Sequence, residues 1–170
     1  MIGDIIKAKA NHYIGEHEKP ANSGFIDSVF EERMKQVGWL KGQAWCAYFA
    51  ELVWTEAYTE YKPELLPRLK QLFAASATAM YKNFSLSGDF KVSKTPEEGA
   101  MVMWREGIGW QGHTGIVTAF SGGTVFNTVE GNTNTNGSRE GVEVAAKIRP
   151  LDWIVKQNGL NLIGFVIPVK

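Results

Sequence analysis

Cys46 is the only cysteine in the chain, and it stands in the stretch QAWCAYFAELVW (43–54), between a tryptophan and a run of helix formers. A thiol in the first turn of a helix faces unpaired backbone N–H groups and the positive end of the helix dipole, which together favour the thiolate. A free cysteine also serves as a small core hydrophobe, so position alone leaves packing and nucleophile both open. A nucleophile needs a base, and the histidines are His12, His17 and His113. His12 and His17 lie five residues apart, a poor spacing for sharing a helix face, and read as surface or helix-end residues. No HExxH or paired-cysteine spacing supports a zinc site built from these two and Cys46.

His113 opens a strand-like run after the glycine-dense approach REGIGWQGHTG (105–115), whose glycines permit tight turns and close backbone approach. Phe120-Ser-Gly-Gly-Thr124 separates this run from the next, and Gly122-Gly123 suits a two-residue primed turn. Pairing residue 121 with 124 sets His113 opposite Asn132 and Gly115 opposite Glu130. Side chains alternate along strands, so His113, Glu130 and Asn132 share one sheet face, with Glu130 a diagonal neighbour of His113. Such a partner fixes the ring tautomer and stabilises the imidazolium, as in a nucleophile–base–orienter triad. Read singly, Glu130 is a solvated strand-end charge and Asn132 a turn former; the shared face makes them supports for His113.

The elements that must position these residues divide the chain in two. Helical spacing appears at Ile2, Ile5, Ile6, Lys9 and Tyr13, then over 25–37 up to Gly38, then from Cys46, with Trp45, Phe49, Leu52, Val53 and Glu56 on one face. Residues 65–81 are rich in helix formers, and EHEKPANSG (16–24) is a breaker-rich loop. Strand-like runs follow at 99–104, 113–120, 124–130, 142–148 and 162–169, and GNTNTNGSREG (131–141) reads as a polar loop. Helices first and antiparallel strands later predict an α+β domain. Trp104, Trp110 and the 131–141 stretch are candidates to line a groove beside the histidine strand, with aromatic core as the competing reading for the tryptophans.

The chain of 170 residues is the size of one ordinary domain, expected to span 1–170. Lys plus Arg and Asp plus Glu are 18 each, so no net field favours nucleic acid or anionic lipid. No apolar run approaches the ~20 residues that span a bilayer. The N-terminal segment lacks the apolar core of a secretory signal and follows helical spacing instead, so synthesis in the cytoplasm without a signal peptide is expected.

Several segments together resemble a known family. GQAWCAYFAELVW (42–54) is similar to the nucleophile helix of CHAP-type and related NlpC/P60-like peptidoglycan hydrolases, in which a WCA-x-F core is typical. TPEEGAMVMWR (95–105) resembles the segment before the histidine strand, GHTGIV (112–117) the G-H-x-G-I-V motif, and VEGNTN (129–134) the E-G-N motif. LNLIGFVIP (160–168) is similar to the closing strand, and YIGEHE with NSGF (13–18, 22–25) to the opening signals of the bacterial and phage branch.

The resemblance implies a papain-like α+β domain with N-terminal helices packed on a C-terminal antiparallel β-sheet. It implies Cys46 as nucleophile, His113 as general base, Glu130 as the residue that orients the base, and Asn132 as a further amide beside it. Many staphylococcal-type relatives carry Gln directly before the cysteine, whereas Trp45 stands here; the backbone N–H of Cys46 and the side chain of Gln43 are the candidates for the oxyanion hole. The acidic calcium loop of some relatives has no counterpart, so neither metal nor cofactor is expected. The implied activity is a cysteine amidohydrolase or peptidase cleaving an amide bond of peptidoglycan, either as an N-acetylmuramoyl-L-alanine amidase or as a stem or cross-bridge endopeptidase. The expected setting is a monomeric phage or prophage endolysin or secreted lytic protein. It would reach the wall by lysis-linked release, virion carriage or dedicated secretion. A non-catalytic wall-binding module of a phage particle, or a cysteine acyltransferase on the same fold, are the alternatives.

Overall fold

A computed structural model describes residues 1–135 and 141–169. Among them the chain forms helices α1 (Ile2–His12), α2 (Ser28–Gln36), α3 (Cys46–Tyr61), α4 (Leu66–Leu72) and α5 (Ala77–Ser87). Strands β1 (Val92–Ser93), β2 (Met101–Glu106), β3 (Gly112–Ala119), β4 (Val125–Thr133), β5 (Glu143–Pro150) and β6 (Leu160–Val166) follow. All strand pairs are antiparallel, in the order β1-β6-β2-β3-β4-β5. The expected α+β architecture, helices first and sheet second, is the one found. No helix among the described residues is long and apolar enough to cross a membrane.

Local chemistry moves several boundaries from those the periodicity predicts. The helical stripe over 25–37 becomes helical only from Ser28, because the Asp27 carboxylate accepts the Phe30 N–H at 2.8 Å and caps the helix there. Phe25 stays outside in extended chain, bridged to Glu18 and fully buried. The run 65–81, rich in helix formers, holds two helices: Phe73 turns extended, and Ser76 caps α5, which continues to Ser87 and stops at Gly88 with φ 71. Of the polar stretch 131–141, Gly131–Thr133 belong to β4, and residues 136–140 lie outside the described residues.

The sheet has an apolar cluster on each face. The helices cover one face, where Met101, Met103, Ile116 and Val129 of the sheet share one core cluster with Phe49, Ala50 and Val53 of α3 and Met80 and Phe84 of α5. Val102, Trp104, Val117, Phe126 and Phe165 pack together in the second cluster. Neighbouring β2 residues fall in different clusters, as strand alternation requires.

The contact between α3 and β4 is close enough to dictate a residue type. A Cβ added at Gly131 would lie 2.6 Å from Phe49 Cβ and 2.7 Å from the Trp45 ring. Gly131 therefore lets the start of α3 press against β4 beside Glu130. Gly131→Ala is expected to overpack this contact and destabilise the protein by about 1–3 kcal/mol. A lowered midpoint of thermal unfolding checks it; an unchanged midpoint means that α3 and β4 separate freely.

Candidate active site

The thiol of Cys46 is set by the start of α3, where Trp45 is the N-cap residue and its side chain makes no capping hydrogen bond. The first-turn amides are thus left to the sulfur and the cleft. Trp45 is itself fully buried: its ring packs edge-on against Phe25, with centroids 4.9 Å apart, and its indole N–H donates to the buried Glu18 carboxylate at 2.8 Å. Trp45 thereby ties the 13–27 segment to the residue next to the nucleophile candidate. A second tie runs from Asn22, whose side-chain N–H donates to the Gln43 carbonyl at 2.9 Å.

His113 stands on β3 and reaches Cys46 by hydrogen bond and charge. Its Nε2 meets Glu130 Oε2 at 2.8 Å, which leaves Nδ1 for the sulfur. The β3–β4 register explains the meeting. Ile116 pairs with Val129 and Val117 with Thr128, the alignment expected from the sequence, and Gly115 faces Glu130 so closely that a Cβ there would lie 2.5 Å from Glu130 Cγ. The turn itself is different. The connection is the five-residue Phe120–Thr124 rather than a two-residue turn, and Ala119 pairs with Asn127, one step out of line. A register shift between Val117 and Ala119 restores the alignment before the site is reached.

Glu130 is fully buried, and each of its oxygens accepts two hydrogen bonds. Oε2 accepts from His113 and from Arg149 Nη2 at 2.5 Å; Oε1 accepts from Arg149 Nε at 2.7 Å and Thr128 Oγ1 at 2.6 Å. Burial alone would raise its pKa, but the Arg149 fork and then His113 hold it down to about 2. Burial likewise disfavours the charged imidazole, yet its hydrogen bonds with Cys46 and to the Glu130 carboxylate raise His113 well above its ordinary value. Burial pushes the Cys46 thiol up; His113, with the backbone amides of Thr114 and Ala47, outweighs it, and the thiol lies below its ordinary value. The four groups form one charge-alternating array: sulfur, imidazole, carboxylate, guanidinium.

A cleft of about 1090 Å³ opens over the array, lined by Cys46, His113, Asn132 and Arg149 together with His17 and Asn22. Asn132 stands in this wall with φ 54, at the point where the β4–β5 register shifts. Ala21 and Asn22 also have positive φ, so all three non-glycine residues in this conformation among the described residues line the cleft. That concentration of backbone strain is characteristic of functional sites.

Other candidates fall elsewhere. Trp104 is core, stacked beneath His113 with centroids 5.7 Å apart, rather than groove lining. Trp110 is 75% exposed and outside the cleft lining. Gln43 does not line the cleft either, because its side-chain oxygen accepts the Leu40 N–H at 3.0 Å and closes a local turn. His12 packs edge-on against Tyr13 and is outside the cleft lining, whereas His17 is drawn into the cleft wall by a bridge to Glu143. Arg149 and Thr128 did not emerge from the sequence. Strand alternation along β4 puts Thr128, two residues before Glu130, on the Glu130 face, whereas only the pairing of β5 with β4, Phe126 to Arg149, brings Arg149 there.

A helix-borne thiol meeting a strand-borne imidazole across an antiparallel sheet places the architecture in the papain-like α+β class. Comparison with known families is more specific: the CHAP domain matches residues 38–132, more than half of the chain, and the chain belongs to that family. CHAP domains are generally cysteine- and histidine-dependent hydrolases with a peptidoglycan-directed function. No curated protein and no solved structure gives a significant match to the chain. The matched segment begins before α3 and ends at Asn132, so Arg149 lies outside it.

The titrations are coupled, so the site is expected to hold a thiolate–imidazolium pair over a pH window. A lowered thiol opens the window on the acid side, and a raised imidazole closes it on the alkaline side. Alkylation of Cys46 by iodoacetamide is expected to begin below the ordinary thiol range. In His113→Ala, unopposed burial should move the onset up past that range. An onset that His113→Ala leaves unmoved would mean that the two groups do not share a proton.

Proposed function

We propose that this protein is a cysteine amidohydrolase that cleaves an amide bond of peptidoglycan, with Cys46 as nucleophile, His113 as base and then acid, and Glu130 as the group that orients His113. The reading is carried by one observation: Cys46 and His113 line the same cleft and stabilise each other's charged form, and the buried Glu130 carboxylate accepts a hydrogen bond from His113 Nε2 at 2.8 Å. Membership of the CHAP family supports it.

In this mechanism His113 draws the thiol proton to Nδ1, and the thiolate attacks the carbonyl carbon of the scissile amide. The amides of the first α3 turn, the Cys46 N–H foremost, stabilise the oxyanion of the tetrahedral intermediate. Collapse breaks the C–N bond as His113 returns its proton to the leaving nitrogen, leaving a thioester on Cys46. Water, deprotonated by His113, attacks the thioester, and the carboxylate product leaves as the sulfur recovers its thiolate. Glu130 stays ionised throughout and holds the ring so that Nδ1 faces the sulfur. Asn132, in the cleft wall, supplies a polar contact for substrate.

The scissile bond is either the link between N-acetylmuramic acid and L-alanine or a peptide bond of the stem or cross-bridge. The wild-type protein is expected to clear a suspension of purified peptidoglycan, and Cys46→Ser to clear it at least 10³-fold more slowly, on the order of the loss of a nucleophile. Equal clearing by both proteins, or none by either, contradicts the proposal. Mass spectrometry of the released fragments names the bond: new free L-alanine amino groups for an amidase, new internal peptide termini for an endopeptidase.

A further inference from the structure

Arg149 is the least expected member of the array. It comes from the end of β5, outside the segment shared with the family. It makes a two-point fork with Glu130 and lies over the Trp104 ring, with Cζ 5.3 Å from the centroid. The same Trp104 stacks beneath His113 and against Phe126, with interplanar angles of 24° and 11°. One aromatic plate therefore seats both the base and the cation, and the carboxylate joins the two.

A fork does what a single charge does not. Two parallel N–H donors fix the plane of a carboxylate, and a guanidinium tolerates both a ring face and partial burial better than an ammonium. With Thr128 holding Oε1, Arg149 leaves Glu130 one direction in which to present Oε2, the direction of His113. The charge balance points the same way. With Arg149 in place, the Cys46 thiolate faces a net positive set: imidazolium, carboxylate, guanidinium. Without it, imidazolium and carboxylate cancel. The other charged or titratable groups around the cleft are His17, Glu18 and Lys19 after α1, Glu106 at the end of β2, and Lys147 on β5. Among these, Glu18 is engaged with the Trp45 indole, and Lys147 donates to the Asn134 carbonyl.

We infer that Arg149 is a positioning residue, which aims the Glu130 carboxylate at His113 and supplies the net positive charge that keeps Cys46 a thiolate. The inference rests on the proposed hydrolase reading for its effect on turnover, but its effect on the thiol stands without any substrate.

Two variants separate charge from geometry. Arg149→Met removes both and keeps much of the apolar stem; Arg149→Lys keeps the charge and loses the fork. In Arg149→Met the pH onset of Cys46 alkylation by iodoacetamide is expected to rise by about half to one unit. Its peptidoglycan clearing rate at saturating substrate should fall at least tenfold, with little change in half-saturation. Arg149→Lys is expected to keep the wild-type onset and to clear peptidoglycan severalfold more slowly than wild type. A folded Arg149→Met with the wild-type onset overturns the inference and reduces Arg149 to a structural brace between β4 and β5. If Arg149→Met does not fold, Arg149→Lys decides: a wild-type clearing rate there overturns the role of the fork. A wild-type protein that clears no peptidoglycan, alongside a shifted alkylation onset in Arg149→Met, sinks the hydrolase reading and leaves Arg149 in its role.

Discussion

A carboxylate removed entirely from water is the constraint around which this molecule is organised. Even after relaxation, an ionised side chain in a protein interior costs several kcal/mol unless every lone pair finds a donor. Glu130 meets that demand with four donors from three strands: His113 from β3, Thr128 from its own β4, and two nitrogens of Arg149 from β5. Each donor has a neighbour that exists to admit it. Gly115 leaves room for the Glu130 side chain, and Trp104 supports both the imidazole and the guanidinium. The β3–β4 register, irregular at its turn, is regular where this carboxylate needs it.

The thiol reaches this array from the opposite layer. Cys46 belongs to a helix packed on one sheet face, while His113 follows strand alternation onto the face of Trp104 and Val117. They meet because α3 begins where Gly131 lets it press onto β4. Trp45, next to the thiol, is an anchor. It holds the Glu18 carboxylate and the Phe25 ring, and with them the segment that walls the cleft. Placement of the thiol is thus bound to the shape of the cleft.

Much of this was legible in the sequence, for identifiable reasons. The helical stripe around Cys46 and the alternation around His113 are strong periodic signals, and the Gly115–Glu130 pairing needs only a local hairpin. The turn is longer than the Gly122-Gly123 signal implies, and a one-residue bulge compensates for the difference, so the site alignment stands although the turn differs. Long-range features were not legible. In KIRPLD, Arg149 looks like a solvated charge near a proline; nothing local fixes the register of β5 across the polar stretch that precedes it. The break between α4 and α5 is not legible because Phe73, Ala74 and Ala75 are good core or helix residues, and Phe73 turns extended as it enters the core. Trp104 lay beside the site as expected, but under it.

The sheet order carries a consequence for anyone who cuts this protein. The portion shared with its family stops at Asn132, but β2 is flanked by β6 and β4 by β5. A fragment trimmed to the shared portion would lose the outer neighbour of both strands. Two unpaired edges rich in buried apolar residues would then face solvent, the geometry that templates intermolecular β-pairing. The family likeness and the folding unit have different borders, and a fragment cut to the first bares the edges that the second keeps paired.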